Sequence, residues 1–472
     1  MKKNLLLIIL IGIVVFSGCK TFEPEKNQSL PLSLPENFSI GHDNSKPKVN
    51  QSIVKESGFQ EYDFHGHDEL KTLIQKALKN NFDLKILKAR IAQAKAMVTK
   101  EEAAFFPDLG FSFGGQKKGV NVKKYYNASS TYNGSHSWDG ALSGSYTADV
   151  WGETGAKEEA QKLKLEAAIW DLEESKIELA TTIAQIWIDI IAVKNRKQIL
   201  SSQIKNNNTL LELQKLRFLN GRAKALDVSQ QHEALAQASS QVPLLEKQER
   251  ILLNTLLFLS GTTLVDDVQV NTTKLPEIIP LPEIGIPLNL LENRSDIQAA
   301  RLRLFSSQWH ITAAEADLLP SFNLTAQALF SSGKLDLLFQ NWMATLTASI
   351  AGPIFDGGFR KAEVKRVTAV AKEQLNIYAM LVAKAIQETE NSLVTIQKQA
   401  AYIKLLEQEL EAVRLTLKDA RIQYQNGQSS YLNYLIAWTG IERLERQLVN
   451  ERAAYLKERI ELHRALGLHF GL

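Results

Sequence analysis

The sequence predicts a mainly α-helical chain with a small membrane-type β part, organised as two similar halves. Three observations predict this class: an internal repeat, two long coiled-coil seams, and paired segments in which apolar residues alternate with small or polar ones. A unit that recurs in this way indicates one architecture built twice.

Identical residues at constant offsets mark the repeat. Asp83, Arg90 and Pro107 recur as Asp296, Arg303 and Pro320, each 213 positions later. Asn220-Gly221, Leu226 and Gly261 recur as Asn426-Gly427, Leu432 and Gly467, each 206 positions later. The smaller offset predicts a shorter loop in the second half, mostly between its two β-like segments. We expect the halves at 58–264 and 289–472, joined by a proline-rich linker at 265–288.

The amino terminus has the pattern of a signal peptide. An apolar run from Leu5 to Phe16 follows two lysines and precedes Ser17, Gly18 and Cys19. Roughly 12 apolar residues are too few to cross a bilayer, which needs about 20. Residues 1–18 resemble a bacterial lipoprotein signal. The resemblance implies that Cys19, the only cysteine, becomes the first mature residue, carrying an N-acyl chain such as palmitate and an S-diacylglycerol.

Residues 19–57 are predicted to form an extended tether, because four prolines prevent a continuous helix. Lys20 follows Cys19, and by resemblance to known lipoproteins the absence of Asp there favours the outer membrane. Without the signal peptide and its two lysines, the formal charge of +3 falls to +1. This balance argues against nucleic acid as a partner.

Two helical seams are the longest signal. Steps of four and three residues from Leu165 to Leu211 meet apolar residues at eleven of fourteen positions, the exceptions being Lys176, Lys197 and Asn207. From Leu375 to Tyr424 the same stepping meets twelve of fifteen. Such seams predict coiled coils. A helix over 156–218 would be about 95 Å long at 1.5 Å per residue. Asn-Gly turns then lead to return helices at 227–259 and 431–466.

The segments at about 108–151 and about 321–355 are predicted to be β-hairpins. Each strand has about ten residues, the length of a transmembrane β-strand. Trp138 and Trp342 are placed at strand starts, where an interfacial aromatic girdle would lie. Polar loops are expected at 116–137, with Lys117, Lys118, Lys123 and Lys124, and at 331–341, both facing the outside.

Four strands cannot close a barrel, and an open sheet edge in hydrocarbon leaves backbone groups without partners. Several chains would therefore share the barrel. Two chains give eight strands filled by side chains, whereas three give twelve strands and room for a pore. Conduction favours three or more. The alternative is a soluble four-stranded sheet.

Several motifs resemble the outer membrane efflux family, the TolC-like proteins, and most closely its lipoprotein branch. They are Asn293-Arg294-Ser295-Asp296-Ile297, Leu319-Pro320-Ser321 and Gly352-Pro353-Ile354-Phe355-Asp356-Gly357-Gly358. The likeness covers nearly the whole mature chain. It implies a homotrimer whose twelve-stranded β-barrel, surrounded by outer membrane lipid, sits on a twelve-helix periplasmic tunnel. The tunnel would dock onto a periplasmic adaptor, or membrane fusion protein, and an inner-membrane pump, expected to be a proton-driven pump of the RND type.

The resemblance implies a passive exit duct for drugs, small toxic compounds or metal ions. Alternatives are the exit duct of a type I protein or peptide secretion system and a non-conducting coiled-coil envelope lipoprotein. Motifs for catalysis are missing, so neither an enzyme nor a cofactor is expected. His65 and His67 are interpreted as a solvated loop, because no third metal ligand lies nearby.

In the family, the tunnel narrows after the second turn glycine, often at an Asp in a Leu-Asp-Ala-Gln string. Here the string is Leu435-Ile436-Ala437-Trp438, so the acidic ring is missing at that position. We expect a less charged and more apolar constriction, made by Asn433, Tyr434 and Ile436. The tip grooves that meet the adaptor are expected to be formed by Arg217, Gly221, Leu226, Asp227, Gly427 and Leu432.

Overall fold

The computed structural model describes residues 68–122, 131–262, 270–277 and 294–467. The predicted signal peptide, the tether with Cys19, the pair His65 and His67, and most of the linker lie outside the described residues. The described residues form two compact units. One contains residues 90–169 and 299–379, and the other contains 68–89, 380–467 and the described parts of 170–298.

Helices make up most of both halves of the sequence. The first half contains α1 Asp68–Asn80, α2 Phe82–Glu102, α3 Glu153–Leu219, α4 Ala225–Ser240 and α5 Val242–Leu259. The second contains α6 Ser295–Ala316, α7 Phe359–Gln425 and α8 Tyr431–Ala465. Helices α3 and α7 have 67 residues each, which confirms the two long helices.

The first return helix differs from its prediction because it is broken into α4 and α5 at Gln241. Pro243 stands in the first turn of α5. Its ring nitrogen carries no hydrogen, so a helix running through this point would lose a backbone hydrogen bond. The second return helix, α8, runs unbroken.

Polar residues in the two seams have partners. Lys176 and Lys197 pair with Glu173 and Glu249 at 2.7 and 2.6 Å. In the second seam, Ser392 donates to Glu458 at 2.8 Å and Gln399 donates to Glu451 at 2.6 Å. These contacts leave the apolar seam positions free to pack, as in the cluster of Val193, Leu200, Ala238 and Leu245 between α3 and the return helices α4 and α5.

The carboxyl end of the last helix is held in the same way in both halves. Asn81 donates through Nδ2 to the carbonyl of the last residue of α5 at 2.9 Å, and Arg294 donates to that of α8 at 2.9 Å. Glycine follows in both halves, Gly261 at φ +65° and Gly467 at φ +68°. A Cβ on Gly261 would lie 2.3 Å from the carbonyl oxygen of Asn80. Glycine is therefore required by the close approach as well as by the left-handed backbone.

The four strands form one antiparallel sheet in the order β1-β2-β3-β4. They are β1 Asp108–Val122, β2 Thr131–Ala148, β3 Ser321–Ser332 and β4 Trp342–Ala351. Strand β2 pairs with β3 from Trp138 opposite Ser332 to Ala148 opposite Phe322. The sheet therefore joins strands from both halves of the sequence.

Strands β1 and β2 have 15 and 18 residues and are longer than predicted. Much of the predicted loop 116–137 is therefore strand, and Lys117 lies opposite His136. Antiparallel pairing is made by backbone groups, so it continues where the apolar alternation ends. Trp138 lies inside β2, which corrects its predicted place at a strand start, whereas Trp342 begins β4 as predicted. The predicted loop 331–341 contains a short 3₁₀ helix, Leu335–Gln340. Lys123 and Lys124 lie outside the described residues.

Candidate functional site

Both helical hairpins turn at an Asn-Gly pair with the same backbone geometry. Gly221 has φ +70° and Gly427 has φ +72°. The amide of Arg222 bonds to the carbonyl of Arg217 at 2.7 Å, and that of Gln428 bonds to the carbonyl of Gln423 at 2.8 Å. These are the bonds of a Schellman closure, which ends a helix at a left-handed residue. The two predicted turn glycines thus define equivalent tips.

The residues after each turn fix the start of the return helix. The Asp227 carboxylate accepts from the amide of Lys224 at 3.0 Å. At the equivalent place in the second half, Asn433 donates to Ser429 Oγ at 2.9 Å. Leu226 and Leu432 precede Asp227 and Asn433 in the sequence, and 61% and 44% of their surfaces are exposed. The predicted adaptor-docking residues therefore place exposed leucines next to ordered turns.

Arg217 lies between the two hairpins. Its guanidinium lies 4.6 Å from the ring centre of Tyr424, and the Tyr424 hydroxyl donates to Gln214 at 3.1 Å. Because Arg217 and Gln214 belong to α3 and Tyr424 belongs to α7, these contacts join the ends of the two long helices.

The predicted constriction residues take different positions. Tyr434 is buried and lies in an aromatic cluster, with ring-centre distances of 6.2 Å to Tyr424, 5.8 Å to Tyr431 and 6.2 Å to Trp438. Burial raises the pKa of the Tyr434 and Tyr431 hydroxyls. Ile436 is 59% exposed, and Asn433 is also exposed. Tyr434 thus supports the packing of α8, while Asn433 and Ile436 present their side chains outside the chain.

A buried polar network joins the two hairpins farther from the turns than the contact of Arg217 with Tyr424. Gln231 donates to the Asn207 side-chain oxygen at 2.9 Å, and Asn207 donates to Glu442 at 2.8 Å. Trp438 donates to the same Glu442 oxygen at 2.9 Å, and Tyr431 donates to Gln231. Asn207 and Gln231 are fully buried and Glu442 is 7% exposed. Burial raises the pKa of the Glu442 carboxyl.

This network was not predicted from the sequence. Its one signal was Asn207, one of three polar residues in the first seam and the only uncharged one. Buried polar side chains require partners, but the sequence does not say which residue of a distant helix supplies them. Gln231 and Glu442 carry no local signal, since polar residues on a helix usually face water.

The sheet has one apolar and one polar face. Two aromatic layers border the apolar face: Phe322 and Trp151 at the end near the helices, with ring centres 6.2 Å apart, and Phe113 and Trp138 at the other end, 6.1 Å apart. Between them lie exposed residues such as Leu142, Leu324 and Leu346. On β3, Phe330 lies eight positions after Phe322, roughly 26 Å away at 3.3 Å per residue. That length is of the order of the apolar band of a membrane barrel.

The strand-to-helix junction explains the Asp356-Gly357-Gly358 string. The Asp356 carboxylate accepts from the amides of Arg360 and Gly358 at 3.2 and 2.9 Å and thereby caps α7. These two bonds lower the pKa of the Asp356 carboxyl. Gly357 and Gly358 have φ +64° and +89°, where a side chain would be strained. Arg360 also pairs with Asp317 at 3.0 Å, so α7 begins at a fixed position beside α6.

The sequence matches one protein family, which is described as outer membrane efflux protein. The match covers residues 73–262 and 286–468. The chain belongs to the outer membrane efflux protein family. Membership confirms the predicted family, the predicted role as an outer membrane efflux channel and the predicted location in the outer membrane.

Sequence relatives of this efflux protein span most of its length. The pyoverdine export outer membrane protein OpmQ of Pseudomonas aeruginosa is 29% identical over 406 residues, covering 85% of both proteins. Nodulation protein T of Rhizobium leguminosarum is 26% identical and covers 84% of this chain and 85% of its own length. The cation efflux system protein CusC of Escherichia coli is 24% identical, and the match covers 96% of this chain and 97% of CusC.

Solved structures have the same fold. CusC superposes with a TM-score of 0.82 at 22% identity, over 94% of this efflux protein and 99% of CusC. The outer membrane channel OprN superposes with a TM-score of 0.82 at 22% identity, over 96% of this efflux protein and 99% of OprN. The predicted fold class is thereby confirmed. None of the described helices is both long enough and apolar enough to span a bilayer.

Proposed function

We propose that the protein is the homotrimeric exit duct of a tripartite efflux system. The observation that carries this proposal is the four-stranded sheet with an apolar band on one face, in which β1 and β4 are edge strands. Edges in hydrocarbon must be paired. Three copies would pair β1 of one with β4 of the next and form a twelve-stranded barrel wide enough for a pore.

The protein would be anchored at its amino terminus. We propose that residues 1–18 are removed, that Cys19 carries an N-acyl chain and an S-diacylglycerol, and that 19–57 form the tether. A relative 24% identical over 98% of this chain is named the probable outer membrane lipoprotein SilC of Salmonella typhimurium, and the lipoprotein-type signal supports the same chemistry here.

The two hairpin tips would dock onto a periplasmic adaptor. Support comes from the paired Schellman turns and the exposed leucines beside them. The contact surface would comprise Arg217, Gly221, Leu226, Asp227, Gly427 and Leu432. The adaptor would connect the duct to an inner-membrane pump, which we propose to be proton-driven and of the RND type.

The cargo would be small molecules or metal ions, which the duct conducts passively and without catalysis. Two relatives have names that point to small cargo, one to pyoverdine and one to cations. Exit of proteins or peptides from a type I secretion system is the alternative. At the tip, Ile436 and Asn433 would line a constriction without acidic groups, held by the buried Tyr434.

A photo-crosslinking residue at Ser430, exposed at the start of α8, tests this proposal in living cells. We expect capture of an adaptor that belongs to a proton-driven pump. The control is the same probe at exposed Lys372, near the start of α7, which should not capture the adaptor. An adaptor of an ATP-driven exporter would favour secretion. Absence of any adaptor in cells that contain abundant protein would contradict the proposal.

A further inference from the structure

The strand register determines which residues share the polar face of the sheet. One row across the sheet contains Gly110, Ser143, Gln327 and Thr345, and the next contains Ser112, Ala141, Leu329 and Met343. Toward the helices follow Ser145, Thr325 and Thr347, then Thr147, Asn323 and Ser349. These side chains are small, hydroxylated, amide-bearing or apolar, and none of them is ionisable.

Ionisable side chains on this face occur at two levels. Asp108 begins β1 opposite Ser145 and is exposed. Asp139 lies on β2 between Gly114 and Ser331. Gly114 lies six positions after Asp108 on β1, roughly 20 Å away at 3.3 Å per residue. In the described region where β1, β2 and β3 all pair, both ionisable groups on the polar face are therefore acidic.

The Asp139 carboxylate is held in place. It accepts from the Ser331 hydroxyl at 2.6 Å and from the Ser137 hydroxyl at 3.2 Å. On its other side is Gly114, where an added Cβ would meet no atom within 4 Å. The carboxylate is therefore oriented by two donors and has open space beside it.

Lys118 lies on the same face but beyond the region where β2 pairs with β3. It pairs with Ser135, whereas pairing of β2 with β3 ends at Trp138 and Ser332. Only the ribbon of β1 and β2 continues there. A long lysine side chain on a ribbon in water is screened by salt over about 8 to 10 Å, so it does not cancel the two carboxylates.

We propose that Asp108 and Asp139 make the strand-built pore prefer cations over anions. The inference rests on the proposed trimer, in which the polar face lines the lumen and each residue contributes three carboxylates to a ring. Rings of acidic side chains raise the local concentration of cations and repel anions. The uncharged rows between the rings add no opposing charge. The duct would therefore pass cationic and neutral cargo more readily than anionic cargo of the same size.

The test is the reversal potential of single channels in a KCl gradient, recorded with the full-length lipidated protein in planar bilayers. We expect the wild type to prefer K⁺ over Cl⁻. D108N and D139N should each lower the permeability ratio, and the double variant should bring it close to one. D336N is the matched control, since Asp336 lies in the 3₁₀ helix outside the polar face, and its ratio should equal that of the wild type. T345K should reverse the preference, because it places three cations in the uncharged rows.

The outcomes separate the inference from the proposed function. A conducting protein whose ratio is the same in the wild type and in D108N/D139N, while T345K shifts it, would overturn the inference and leave the duct intact. A wild type that prefers Cl⁻ would also overturn it. Absence of conductance in the wild type would instead contradict the proposed function.

Discussion

Asn207 on α3 donates a 2.8 Å hydrogen bond to the carboxylate of Glu442 on α8. The two residues are 235 positions apart and belong to different hairpins. Both are buried, and the carboxylate accepts a second bond from Trp438 at 2.9 Å. The charges of Arg446 and Glu445, on the same helix, act on the Glu442 carboxyl, and Arg446 donates to Gln203. The Glu442 carboxyl group is thus buried and is held by two hydrogen-bond donors.

Substitution of Asn207 should destabilise the contact between the hairpins. N207A removes one buried side-chain hydrogen bond from Glu442 and one from Gln231, and each lost bond costs about 0.5 to 1.5 kcal/mol. We expect a lower unfolding midpoint for the purified protein in urea. In a double-mutant cycle, N207A and E442A should show a coupling energy well above zero. Additive effects of the two substitutions would contradict the assigned hydrogen bond.

Glu442 should make stability depend on pH. Burial raises its pKa in the folded protein, so the folded state binds the proton more tightly than the unfolded state. The stabilisation from this group is complete below the ordinary pKa and is lost as pH rises through the raised value. E442Q is permanently neutral. The difference in melting temperature between E442Q and the wild type should therefore change between pH 5 and pH 8, with E442Q gaining relative to the wild type at pH 8. An unchanged difference would be the contrary result.

The contact between Arg217 and Tyr424 should hold the tips together. A cation over an aromatic ring contributes about 0.5 to 2 kcal/mol. R217A should therefore raise the open probability in single-channel recordings by several fold. R222A is the matched control, because exposed Arg222 lies just beyond the same turn. Equal open probabilities for R217A and R222A would show that the ring contact does not restrain the tip.

A comparison of Gly261 with Gly221 tests the close approach of the chain at the end of α5. Both have positive φ, but a Cβ on Gly261 would meet the Asn80 backbone at 2.3 Å, whereas one on Gly221 would meet nothing within 4 Å. G221A should cost only the backbone strain, about 1 kcal/mol. G261A should cost several times more, because the chain must shift as well. Thermal unfolding measures both, and equal losses would contradict the close approach.

The contrast between Asn207 and the long helices shows what the sequence could predict. The seams and the Asn-Gly turns are local patterns, so they predicted α3 and α8 within a few residues. The second seam, from Leu375 to Tyr424, predicted the end of α7, but the helix begins earlier, at Phe359. The break at Gln241 was missed although Pro243 was visible, because the apolar spacing continues through it. Lys117 and Lys118 were placed in a loop because the extension of β1 depends on backbone pairing. The partner of Asn207 depends on how distant helices align, which periodicity does not encode.

An acidic residue in place of Ile436 should create the ring of carboxylates that is missing at this position. In the proposed trimer, I436D places three carboxylates at the constriction, and such rings attract multivalent cations. Hexaamminecobalt added from the periplasmic side should block I436D at a lower concentration than the wild type. N220D, at the exposed first turn, is the control for added charge and should leave the block unchanged. Equal block of I436D and the wild type would remove Ile436 from the constriction.

The most direct test of the central claim is disulfide formation between β1 of one copy and β4 of the next. Three double variants each combine L346C with one of L109C, F111C and F113C. They cover three registers between β1 and β4 on the apolar face. Outer membranes that contain each variant would be treated with an oxidant. Within one chain, β1 and β4 are three strand spacings apart, about 14 Å, too far for a disulfide. A closed trimer predicts that one combination gives a covalent ladder ending at the trimer. A ladder that ends at the dimer or continues beyond the trimer, or no crosslink in any register, would contradict the shared twelve-stranded barrel.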